Sequence, residues 1–225
     1  MIGRIVTSLF LCVPFLAFGQ FGVTGSYLNA DVREWETLVA EQTNSPLYNN
    51  GYKVGIDYWF RLKNIRIEFM PEVGYSNMEA EIVPLDDLFP NQFQTTAYHF
   101  QLNTNIYAFN IATDCECPTW SKSEPILQKG FFFQLSPGVA FFQQEISREG
   151  QEPIESEDFT YTLAAGAGLD IGVSDLLTIT PMVKYWYIPE AGWAGLDEAL
   201  GIEESVSSIS YLEFALRIGV RFDYK

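Results

Sequence analysis

Ionisable residues recur at every second or fourth position of otherwise apolar segments, and that spacing decides what chemistry they can do. Lys53, Asp57 and Arg61 share one parity of residues 52–62. Arg66, Glu68 and Glu72 share one parity of residues 65–76. Asp170, Lys184, Glu213, Arg217 and Arg221 do the same in three later segments. A β-strand turns successive side chains to opposite faces, so these residues collect on one face of a sheet. Both signs are present, which suits an ion-pair network. A proton or ion path built from the same groups is the alternative. A lone buried charge would cost several kcal/mol, so they must pair.

Signals for catalysis are thin. The chain has one histidine, His99, with the same inward parity as the charges. A Ser-His-acid set would need a serine within about 3 Å of it at an accessible rim, and the sequence names no such partner. No Gly-rich phosphate loop and no His/Cys zinc spacing is present. No cofactor and no metal is expected.

Two other groups of residues are candidates for binding. Cys115 and Cys117 stand in a long connection between Asp114 and Pro118. They read as a local disulfide stiffening a long turn, as a redox pair, or as a metal clip completed from outside, and the turn is a first candidate contact for a periplasmic partner. The remaining long connections hold most of the acid, nineteen carboxylates in or beside them against Arg33 and Arg148. Asp86, Asp87, Asp197 and Glu198 lie there, on a surface that is solvated, or that binds divalent cations bridging lipopolysaccharide phosphates, or that grips a basic partner. Trp35 and Trp193 lie in the same loops, as residues buried beneath them or as exposed anchors. Spacing at Val32, Trp35 and Val39, with Asp31 as N-cap, suggests a short helix.

These residues need elements to hold them. Between Tyr52 and Leu62 every second residue is apolar, and the pattern resumes at Ile65, Ile67, Phe69, Pro71, Val73 and Tyr75. The same period-two pattern predicts strands at about 21–30, 51–63, 65–79, 95–110, 130–146, 158–173, 176–188 and 208–224. Each is long enough to cross a bilayer at a ~45° tilt, which takes about 9–11 residues. Loops at about 31–50, 83–94, 147–157 and 189–207 are long, while Lys63-Asn64 and Ser174-Asp175 are minimal and the segment around 111–128 is an exception. If Lys63-Asn64 is a two-residue turn, Leu62 pairs with Ile65 and Arg61 lies diagonal to Glu68. Three alternate strands repeat Pro-x-Val-x-aromatic, at Pro71–Tyr75, Pro137–Phe141 and Pro181–Tyr185. A proline costs a ladder bond, so a bulge is expected at each. The closing aromatics, with Tyr52, Tyr98 and Tyr161, would make an outer belt, and Phe60, Phe131, Phe222 and Tyr224 an inner one.

Residues 1–20 carry one positive charge, Arg4, then an apolar run and the small-residue exit Ala17-Phe18-Gly19-Gln20, the pattern of a cleavable export signal. Residues 21–225 then form one domain. No other stretch approaches the ~18–20 apolar residues of a membrane helix, and closed barrels cross bilayers without one. Without Arg4 the chain carries 12 basic and 29 acidic side chains. That excess of acid argues against nucleic acid as a partner. Volume decides which face is inside. The large apolar side chains cannot all fit within eight strands, whose interior ordinary side chains just fill, so the apolar face points outward.

The fold class expected is all-β, an eight-stranded antiparallel up-and-down transmembrane barrel with a filled lumen. The export signal, the alternating strands, the short turns and the end Arg221-Phe222-Asp223-Tyr224-Lys225 resemble the OmpA/OmpX-type outer-membrane barrels. Asp114-Cys115-Glu116-Cys117-Pro118-Thr119-Trp120-Ser121-Lys122, followed by Lys129-Gly130-Phe131-Phe132, is similar to PorT-like small barrels of the Bacteroidota. One departure is that the chain does not end on the aromatic itself. The resemblance implies an integral outer-membrane protein with no catalytic residues. Its expected partners are outer-membrane lipids and lipopolysaccharide, the barrel assembly machinery, and a periplasmic or outer-membrane protein. An outer-membrane enzyme acting on lipid or peptide, and a narrow pore, are the alternatives.

Overall fold

The computed structural model describes residues 20–31, 37, 50–62, 65–81, 92–109, 111, 119, 122, 125–147, 152–192 and 206–221. Residues 1–19 of the expected export segment, Cys115, Cys117, Trp35, Asp86, Asp87, Trp193, Asp197, Glu198, Phe222 and Tyr224 lie outside them, while Gln20 belongs to the first strand.

The strands are β1 (Gln20–Asp31), β2 (Asn50–Arg61), β3 (Ile67–Glu81), β4 (Gln92–Ile106), β5 (Phe131–Ser147), β6 (Ile154–Leu169), β7 (Ile171–Gly172), β8 (Leu177–Gly192) and β9 (Val206–Arg221). β6 and β7 are one strand interrupted at Asp170, because both pair with β8 in a single register. The chain therefore makes eight antiparallel strands. Each pairs with its sequence neighbours, β1 pairs with β9, and β6 pairs with β8, so the sheet closes on itself. A closed sheet has no edge strand left to protect. A helical turn, Ile126–Gly130, leads into β5. The end of the barrel carrying Gln20 and Arg221 is called lower here, and the end carrying Asp31 and Asn50 upper.

Alternation points the expected way along the strands, except at the top of β3, where Ser76, Asn77 and Met78 are buried in succession. Val23, Val54, Ile56, Val73, Phe100, Leu163, Phe214 and Ile218 are exposed on the outer surface, while Thr24, Lys53, Asp57, Glu72, Gln101, Thr162, Glu213 and Arg217 are buried. On β3 to β6 the outward residues change character in one step. Tyr75, Tyr98, Phe141 and Phe159 form a continuous cross-strand row. The next row up is Asn77, Thr96, Gln143 and Glu157, and the one above it Glu79, Gln94, Glu145 and Glu155. A lower aromatic girdle includes Phe60 stacked on Phe69 at 5.5 Å and Phe131 edge-on to Phe133 at 5.1 Å.

Two local expectations are corrected. The first hairpin is not built on a two-residue turn. The Leu62 N–H donates to the Ile67 carbonyl, so Leu62 faces Ile67, and Arg61 stands directly opposite Glu68. The slip is by two residues, which preserves every side chain's face. The three repeat prolines make no bulge. The ladder lapses beside each of them on one flank, between Asp57–Glu72 and Phe60–Phe69, between Gln101–Gly138 and Thr104–Leu135, and between Gly168–Met182 and Ile171–Ile179. Register is unchanged across each gap, because intact pairs above and below hold it. The one register shift among the described pairs lies between Ile188 and Ala191, around Pro189 and Glu190.

Candidate functional site

The barrel interior is the candidate site, and it has three layers. The middle layer is ionic. Glu213 on β9 accepts hydrogen bonds from Ser26 Oγ at 2.6 Å and Trp186 Nε1 at 2.6 Å. Lys53 Nζ lies 2.8 Å from Glu72 Oε1 and 3.6 Å from Glu213 Oε1, and Lys184 Nζ lies 3.9 Å from Glu213 Oε2. Asn103 Nδ2 donates to Glu72 Oε2 at 2.8 Å, and the Lys53 ammonium sits 4.8 Å over the Trp186 ring. Just below, Arg217 holds Asp57 with two bonds, Nε to Oδ2 at 2.7 Å and Nη2 to Oδ1 at 2.6 Å. These charges are nearly all removed from solvent, where paired geometry is what makes them tolerable.

Glycines make room for the long side chains. A β-carbon on Gly22 would stand 2.4 Å from the Arg217 guanidinium and 2.4 Å from Asp57 Oδ2. One on Gly55 would stand 2.7 Å from Glu72 Oε1.

The lower layer mixes aromatics with charge. Glu68 Oε2 accepts from Trp59 Nε1 at 2.7 Å and from the Tyr107 hydroxyl at 2.8 Å. The same hydroxyl contacts Asp170 Oδ2, and Thr180 Oγ1 donates to Asp170 Oδ1 at 2.5 Å. The Arg66 guanidinium lies 3.8 Å over the Tyr107 ring and that of Arg221 5.2 Å over Trp59. Arg61 is half-buried at the same end. Tyr107 is a member of this layer that the spacing of charges does not single out. Its signal is an inward parity directly after outward Ile106, at the point where β4 ends.

The upper layer is apolar, against the expectation of a polar lumen throughout. Leu28, Met78, Phe93, Phe142, Ile146, Trp186, Ile188, Ile209 and Tyr211 form one buried cluster. Trp186 stacks on Tyr211 with ring centroids 5.2 Å apart. The signal is a loss of alternation, in runs such as Ala140-Phe141-Phe142 and Tyr185-Trp186-Tyr187-Ile188, where both faces of a strand are apolar.

His99 lies between the ionic and apolar layers. Its Nε2 is 2.8 Å from Ser76 Oγ, and its ring packs beside Trp186 at 5.9 Å and edge-on to Phe142 at 6.5 Å. A serine is therefore in reach, as general-base chemistry would require. Both residues are buried, and His99 Nδ1 has no hydrogen-bond partner, so no carboxylate orients the ring. The pair lacks both the third member and the access that a hydrolytic triad uses. Among the described residues no group of three or more His, Cys, Asp or Glu is placed to hold a metal ion.

No protein-family model matches the chain, and no curated protein matches it. Its path is similar to that of several solved outer-membrane barrels. Neisserial surface protein A is 11% identical at a TM-score of 0.49, over 91% of this chain and 97% of that one. Ail, the attachment invasion locus protein of Yersinia pestis, is 12% identical at 0.46, over 91% and 99%. A major outer membrane protein from Thermus thermophilus is 11% identical at 0.49, over 91% and 99%. The likeness is one of outline, with about a tenth of positions identical.

Proposed function

We propose that the protein is an integral outer-membrane barrel with a sealed interior, non-enzymatic, serving as an envelope-structural protein or as a subunit or interaction element of an outer-membrane complex. One observation carries this: the outer surface is an apolar band that ends abruptly. From Ile67 to Tyr75 every outward residue of β3 is apolar, and above that height the surface turns polar on four strands, at Glu79 of β3 and at Thr96, Gln143 and Glu157 of β4, β5 and β6. That run covers about 27 Å of strand at ~3.4 Å per residue, or about 20 Å of height at a tilt of roughly 40°. Lipid-facing barrels carry an apolar band about 25 Å tall between aromatic girdles. A water-exposed surface rarely shows so wide an apolar expanse. The upper end is then extracellular and the lower end periplasmic.

The filled interior supports a seal in preference to a pore. Ion pairs close the middle of the barrel and an apolar cluster closes the top. An enzyme acting on lipid or peptide has no accessible nucleophile to use in the described interior. The resemblance of Asp114–Lys122 to PorT-like barrels supports a role as a subunit of a larger complex, with the Cys115-x-Cys117 turn facing a periplasmic partner. The residues ahead of Gln20, which opens β1, serve as the export signal. Lipids, lipopolysaccharide and the barrel assembly machinery are the partners such a location entails.

The test is fractionation of native envelopes followed by planar-bilayer recording. Recovery in the outer membrane, with heat-modifiable electrophoretic migration and no steady conductance, is the expected result. Recovery as a soluble protein would overturn the membrane placement, and a stable open conductance would overturn the seal.

A further inference from the structure

The two strands that close the barrel do not pair along their whole length. Between β6 and β8 the ladder runs from Leu163–Tyr187 down to Gly168–Met182 and resumes at Ile171–Ile179. Above Leu163 and Tyr187 it stops among the described residues. Both strands go on upward. β6 stays laddered to β5 as far as Ile146–Ile154, and β8 to β9 as far as Gly192–Val206. Each keeps its partner on one flank and meets the other across the seam without backbone pairing.

The cause lies in β8. Pro189 has no N–H to offer, and the register against β9 shifts between Ile188 and Ala191. A bulge bends its strand and increases its twist, which carries the upper end of β8 out of line with β6. Side chains take over where the backbone cannot. Thr160 Oγ1 donates to the Glu190 carbonyl at 2.5 Å, and the Gly192 N–H donates to Asp158 Oδ2 at 2.8 Å. The other carboxylate oxygen of Asp158 accepts from the Phe159 N–H at 2.8 Å, which fixes its orientation. Directly behind the seam lie Ala164, Trp186, Ile188 and Ala191 of the upper apolar cluster.

We propose that Asp158 and Thr160 are a clasp, and that the barrel opens first at the upper β6–β8 seam, uncovering the apolar cluster behind it. The other upper seams are held by backbone ladders, broken only by the β8–β9 register shift and resumed above it at Ala191–Ser207 and Gly192–Val206, so opening them breaks a row of cooperative backbone bonds. Opening this one breaks two side-chain bonds. Local opening of a fold follows such differences in local bonding. The inference concerns the seam alone and holds whether or not the outer surface faces lipid.

Amide hydrogen exchange on the purified full-length barrel tests it. In the wild-type protein, the amides of Ile188 and of residues 190–192 should exchange roughly tenfold or more faster than those of 163–168 in the same seam. The pair D158A/T160V, which removes both bonds and keeps the threonine's shape, should quicken exchange at Ile188 and 190–192 by a further tenfold or so while leaving the β3–β4 ladder unchanged. Equal protection above and below Leu163 in the wild-type protein would overturn the clasp, and that comparison needs no variant to fold. Exchange rising equally around the whole barrel in D158A/T160V would overturn it as well.

Discussion

Arg217 grips Asp57 through two parallel hydrogen bonds, between residues 160 positions apart in sequence that meet across the inside of the barrel. Both side chains are buried, so each neutralises a charge the interior could not otherwise hold. Removing one partner should therefore harm more than removing both. D57A should lower unfolding stability by about 3–5 kcal/mol. The double variant D57L/R217M should cost clearly less than either single change. Urea titration of the refolded barrel, run as a double-mutant cycle, checks the sign of the coupling.

Two glycines of β1 give a second contrast. Gly22 faces inward, and an added methyl would lie 2.4 Å from both Arg217 and Asp57, whereas Gly25 faces outward with nothing within 4 Å. G22A should cost about 1–3 kcal/mol through overpacking and a displaced ion pair. G25A should stay within about 0.5 kcal/mol of wild type. The same unfolding titration reads both.

Much of this arrangement is legible in the sequence because a strand has a two-residue period. The strand count, the up-and-down order and the outward turn of Val54, Ile56, Val73 and Phe214 all follow from it. Register is less legible, since Lys63-Asn64 looks like a complete turn. The Leu62-to-Ile67 hydrogen bond that sets the hairpin leaves no mark on the alternation, because a slip of two keeps every face. The upper apolar cluster is hidden for a different reason. Phe142, Trp186 and Tyr211 sit next to outward aromatics or aliphatics, and a run apolar on both faces does not say which face is which. The expected bulges fail because a missing proline N–H costs one bond on one flank. Pro71, Pro137 and Pro181 have intact pairs on either side to absorb that loss, and it is at Pro189, near the top of β8, that the register gives way. Asp86, Asp87, Asp197, Glu198 and the Cys115-x-Cys117 turn lie outside the described residues, whereas Glu79, Glu145, Glu155 and Glu157 stand on the polar upper rows of β3 to β6.

Outward positions test the solvent. Val73 is 64% exposed in the middle of β3. If that face meets hydrocarbon, V73R should destabilise the barrel in lipid vesicles by about 2–4 kcal/mol. Gln143 lies outward two residues above Phe141, where the surface is polar. Q143R should there cost at most about 0.5 kcal/mol. Equal and negligible effects at both positions would mean that water bathes both.

Spin labels placed one at a time from Lys53 to Phe60, in a C115S/C117S background reconstituted into lipid vesicles, report where each side chain of β2 resides. Labels at Val54 and Ile56 should be reached freely by dissolved oxygen and poorly by a water-soluble nickel chelate. Those at Lys53, Gly55 and Asp57 should be shielded from both, giving a period of two along the strand. Nickel reaching Val54 and Ile56 as readily as it reaches a loop would contradict a barrel that wears its apolar side chains outward against lipid.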